Sequence, residues 1–129
     1  MRLLAALILI LPVFAQAKEI TTIAGEWNCE YGARHDTDSM KTNAMWFTVT
    51  LKPDGTYDGG GKSSAIGITA NSRMSGDWDY AEDTLTLTGQ TDGPFGTLPF
   101  RFVADRKSDE LLEREWTTGE LSQQTRCFR

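Results

Sequence analysis

Apolar and polar residues alternate along most of the chain, and short turn-forming clusters separate the alternating runs. From Ala44 to Leu51, Met45, Phe47, Val49 and Leu51 share one face while Thr48 and Thr50 share the other. That period of two marks a half-buried strand, because successive side chains leave a strand on opposite faces. Pro53-Asp54-Gly55 predicts a tight turn, after which Thr56-Tyr57 opens a return strand. Ser75 to Tyr80 reads as a further short strand with Trp78 and Tyr80 on one face. Ala81-Glu82-Asp83 turns the chain into Thr84 to Thr88, where threonines alternate with Leu85 and Leu87.

Asp92 to Gly96 reads as a longer loop. Beyond it, Leu98, Phe100, Phe102 and Ala104 form an apolar face interleaved with Arg101 and Asp105. Lys107-Ser108-Asp109 turns into a strand from Glu110 to Trp116, and Thr118-Gly119-Glu120 leads to a last strand, Leu121 to Phe128. With Ala24 to Tyr31 as the first, the pattern predicts about eight strands. Their spacing points to one all-β domain, a sandwich or an antiparallel up-and-down barrel.

The amino terminus has a different character. Met1-Arg2 precedes an apolar stretch from Leu3 to Phe14, and Ala15-Gln16-Ala17 has the small-x-small form of a cleavage site. This is the pattern of a secretory signal peptide over 1–17, cleaved before Lys18, with the domain over 18–129. The run is shorter than the ~18 residues of a membrane span. The first cysteine is Cys29, so a lipid anchor at the cleavage point is not expected. The mature part keeps all 18 Asp+Glu and, without Arg2, 12 of the 13 Lys+Arg, a net charge of −6. Such a balance argues against nucleic acid or an anionic membrane as partner and is compatible with a cationic protein.

Cys29 and Cys127 lie near the two ends of the mature chain. An even cysteine count in an exported protein predicts one disulfide. Closing so long a loop stabilises by up to ~4.7 kcal/mol on the chain-entropy model.

Candidate chemistry is thin. The single histidine, His35, lies in the polar run Arg34 to Asp38 and reads as an exposed loop rather than a metal ligand. Gly59-Gly60-Gly61-Lys62-Ser63 lacks the earlier glycine of a phosphate loop, since Thr56 stands there, and reads as a flexible or bulged hairpin. No G-x-S-x-G elbow occurs. The expectation is a monomeric, non-enzymatic protein with no metal and no cofactor.

Two resemblances bear on function. Gly25-Glu26-Trp27, Asp54-Gly55-Thr56-Tyr57 and Gly76-Asp77-Trp78 resemble bacterial lipocalin-like barrels. That likeness implies a barrel with Trp27 packed under a basic residue of the last strand. If Cys29 and Cys127 face each other across antiparallel strands, Trp27 falls opposite Arg129, with Arg126 as the neighbouring candidate. It also implies an interior lined by Met45, Phe47, Val49, Leu51, Leu85, Leu87, Phe100 and Phe102, holding a small apolar ligand if hollow. The Trp27-Asn28-Cys29 run and the late Cys127 are similar to periplasmic inhibitors of C-type lysozyme. In that likeness Ser75, Gly76, Trp78 and Tyr80 stand for an exposed inhibitor loop. A barrel with a structural or envelope-stress role and no cavity is the third expectation.

Overall fold

A computed structural model describes residues 22–37, 42–94 and 96–129. The segment 1–17, which the sequence pattern reads as a signal peptide, lies outside the described residues. The alternating runs form eight strands in succession. They are β1 (Gly25–His35), β2 (Asn43–Leu51), β3 (Thr56–Ala65), β4 (Ile68–Ala81), β5 (Thr84–Gly93), β6 (Gly96–Ser108), β7 (Leu111–Thr118) and β8 (Leu121–Phe128). Each pairs antiparallel with its sequence neighbours, and β8 returns to β1, so the sheet closes into an up-and-down barrel. Closure removes the free edges that an open sheet would expose.

Several strands run further than the sequence pattern indicates. The triple glycine at 59–61 is not a hairpin or a bulge. It lies inside β3, in unbroken register with both β2 and β4. A Cβ at Gly61 would fall on the carbonyl oxygen of Trp46, so glycine is what lets the two backbones approach there. Gly76 and Gly89 face each other across β4 and β5 under the same restriction. Glycines at such points let a sheet curve enough to close. The expected loop over Asp92 to Gly96 is likewise shorter, because β5 pairs with β6 as far as Gly93↔Gly96.

Pairing is uneven in one place. β6 follows β5 along its length, from Thr84↔Asp105 to Gly93↔Gly96. Its pairing with β7 covers only Ser108↔Leu111 to Asp105↔Glu113, with a register shift between Arg106 and Ser108.

The core sits toward one end of the barrel. Trp27, Val49, Leu51, Tyr57, Leu85, Leu87, Phe102, Ala104 and Leu112 are buried there, where the odd-numbered strands begin and the even-numbered ones end. Burying a side chain of this size stabilises by about 1.5–3 kcal/mol. We call this the closed end and the opposite one the open end.

Candidate functional site

Closure of one end begins with Trp27. Its indole is fully buried, and its Nε1–H donates to the carbonyl of Ile23, just ahead of β1, at 2.9 Å. Cys29 and Cys127 are direct cross-strand partners and form a disulfide across 98 residues of sequence. One step further along both strands, the Arg129 guanidinium lies 4.1 Å from the Trp27 ring centroid. It also donates to the carbonyls of Thr22 at 2.7 Å and Asp109 at 3.2 Å. A cation over an indole contributes about 0.5–2 kcal/mol. Arg126 points the other way, to the outer surface, between Glu30 and Glu113 and over the Phe128 ring. Strand alternation separates the two arginines.

Trp78 is also part of this closed end. With Ser75, Gly76 and Tyr80 it lies within β4, with its ring buried and its Nε1–H donating to the Lys52 carbonyl at 2.8 Å. The four residues are therefore not an exposed inhibitor loop. An indole needs a partner for its N–H when buried, and the turn before β3 supplies one. Tyr80 is half-buried, with its hydroxyl donating to Asp83 in the following turn.

Tyr57 is buried beside them, and its hydroxyl has no hydrogen-bond partner among the described residues. Burial, with a smaller contribution from the Asp77 charge, pushes its phenol up to about 12.

Midway along the barrel Phe47 meets Phe100 and Phe102 edge-on, with ring centroids 5.9 and 5.4 Å away. Above this aromatic layer the inward positions shrink. Ser63 on β3, Ala70 and Ser72 on β4 and Thr91 on β5 leave a cavity of about 290 Å³ at the open end. Tyr31, Met45, Ile68 and Leu98 supply most of its apolar wall. The hydroxyls of Ser63 and Ser72 bond each other at 2.9 Å, which removes much of their demand for water. Ile66, at the tip of the β3–β4 hairpin, is 62% exposed, and Ile68 and Leu98 are more than half exposed, so the mouth has an apolar rim.

The eight interior residues named from sequence do point into the barrel, but as the lining of a ligand site the set needs correction. Of the eight, only Met45 lines this cavity. Phe47, Val49, Leu51, Leu85, Leu87 and Phe102 are buried against one another, and Phe100 packs on them. Large inward side chains fill the barrel where they occur, so the space lies among small ones. Tyr31, Ser63, Ala70 and Ser72 are the residues the sequence pattern missed. Their signal, a run of small inward residues on adjacent strands, becomes visible only once the register is known.

His35 stands at the open rim with Nε2 3.4 Å from a Glu120 carboxylate oxygen. Between β6 and β7, Arg114 grips Asp105 through both Nε and Nη2, at 2.9 and 2.8 Å. This pairing, more than the Thr84 hydroxyl, holds the Asp105 carboxyl below the usual carboxylate range.

No protein-family model matches the chain, and no curated protein matches it. Among solved structures it is similar to a redesigned β-barrel, at 14% identity and a TM-score of 0.51. The match covers 85% of this chain and 93% of that one. At so low an identity the likeness shows the fold alone: an eight-stranded antiparallel closed sheet.

Proposed function

We propose that the chain is an exported, non-enzymatic binding protein of the lipocalin-like kind, holding a small, mostly apolar ligand at the open end of its barrel. The cavity over the aromatic layer carries the reading. Ligand sites are concave, largely apolar and fitted with a few polar groups. This one has a largely apolar wall, a self-satisfied serine pair, the Tyr31 phenol and, around them, Asn43, Ser64 and Thr91. The disulfide supports an oxidising compartment, in keeping with the signal-like segment at 1–17.

Native mass spectrometry of the mature protein, purified gently from its own host, tests this. The expected result is a co-purifying small apolar molecule, absent from Ala70→Trp, whose indole fills the cavity. Near-ultraviolet circular dichroism shows whether that variant keeps its fold. An empty wild-type protein that also takes up no added apolar ligand would overturn the reading.

A further inference from the structure

β6 and β7 part beyond Asp105↔Glu113, and a slot of about 420 Å³ opens between them. Its lining includes Arg101 and Val103, on the outward face of β6, and Tyr31 and Thr125, on the inward faces of β1 and β8. A cavity bounded by outward residues of one strand and inward residues of others passes through the barrel wall. Tyr31 also lines the apolar cavity at the open end, so its ring stands between the two spaces, with its hydroxyl donating to Gln123 of the slot at 3.1 Å.

β6 turns unpaired backbone groups, acceptors as well as donors, toward the slot. Thr125 Oγ1 donates to the Val103 carbonyl at 2.5 Å, which fixes the direction in which the Val103 peptide groups point. In a strand the N–H and C=O of one residue point to the same side, and residues two apart share that side. The N–H groups of Val103 and Arg101 therefore face the slot, beyond the last β6–β7 pair. Pro99 shares their direction and has no N–H, a residue tolerated on an unpaired edge and not in a central ladder. The Arg101 guanidinium has no carboxylate partner among the described residues, whereas Arg114 is neutralised by Asp105. The slot thus carries a net positive charge in a chain whose mature part is acidic.

We infer that the slot holds the anionic head of a single-chain amphiphile, a carboxylate, whose tail lies in the apolar cavity. This deepens the proposed function and rests on it. A cavity of about 290 Å³ has room for a medium-length alkyl tail. Arg101 and the two peptide N–H groups meet the carboxylate oxygens, and Tyr31 forms the bend between head and tail.

Calorimetric titration with decanoate and with decanol, which share a chain and differ in charge, separates the two claims. Decanoate is expected to bind the wild type about tenfold or more tightly than decanol, as charge-assisted hydrogen bonds imply. Arg101→Gln should remove most of decanoate's advantage over decanol, the two peptide N–H groups remaining, and leave decanol unchanged, while Arg101→Lys keeps more of the preference. Arg101 is exposed, so these variants should fold. Equal binding of acid and alcohol to the wild type, or an undiminished preference in Arg101→Gln, would overturn the slot and leave the cavity standing. If neither ligand binds, the cavity reading fails and the slot inference with it.

Discussion

The two ends of this barrel are built by the same strands and differ in the size of what points inward. β4 shows it within one run. Trp78 and Met74 are buried toward the closed end, and Ser72 and Ala70 follow toward the open end. At the closed end both indoles reach carbonyl oxygens of neighbouring segments, and a disulfide joins the first strand to the last. At the open end the alternation continues with small side chains, and a cavity replaces the packing. One binary pattern can therefore make a core and a receptacle, because it sets which face is inside and leaves open how full that face is.

Substitutions at the two ends should separate accordingly. The largest effect is expected from Trp27→Ala, which should destabilise by about 3–5 kcal/mol in denaturant unfolding. A loss below ~1 kcal/mol would mean that the closed end does not anchor the fold. Next comes the disulfide: the Cys29→Ala, Cys127→Ala double variant should lose about 2–4 kcal/mol. An unchanged thermal midpoint would show that the strand closure holds without it. At the open end the sign should reverse. Ile66 has φ of 54°, a left-handed conformation costly for a β-branched residue. Ile66→Asn is expected to stabilise by roughly 1 kcal/mol, since strain of this kind costs about 1–3 kcal/mol. A destabilised variant would show that the exposed side chain packs on something the account omits.

The smallest effect is expected at Tyr57. Removing a buried hydroxyl that has no partner should be nearly neutral or slightly stabilising, so Tyr57→Phe should change stability little at neutral pH. Its pH dependence is more telling. The folded state holds the phenolic proton up to about 12, against about 10 in the unfolded chain. The contribution of Tyr57 is therefore complete below pH ~10 and is lost as the pH rises toward the folded-state value. Burial also pushes up Tyr31 and Tyr80, so Tyr57→Phe should remove part of the alkaline loss and not all of it. An identical alkaline profile in the variant would contradict the buried, unpartnered hydroxyl.

What the sequence revealed follows from the same contrast. Met45 to Leu51 and Thr84 to Thr88 announce their strands because large apolar residues mark every inward position. The first half of β4 escapes notice, since Ala70 and Ser72 break the apolar inward face between Ile68 and Met74 and the outward residues there are polar. Strand preference reflects how side chains fit a half-buried surface, and around a cavity that preference is silent. Gly59-Gly60-Gly61 suggests a turn in isolation, whereas closure of the barrel demands close backbones there. Ser75 to Tyr80 was legible as a strand, and its use as a loop came only from family likeness. The disulfide was legible because an even cysteine count, a signal-like amino terminus and an end-to-end position agree. The slot was not, since the parting of β6 and β7 is a property of three strands together. Pro99 was its only local sign.

In the proposed function the open half receives an apolar ligand while the closed half stays packed. Titrating decanol into isotopically labelled protein spanning residues 18–129, with amide chemical shifts followed residue by residue, tests this most directly. The account predicts saturable shifts at Tyr31, Met45, Ala70 and Ser72, and near-silence at Trp27, Leu51, Leu85 and Leu112. Shifts concentrated at the closed end, or none that saturate, would contradict it.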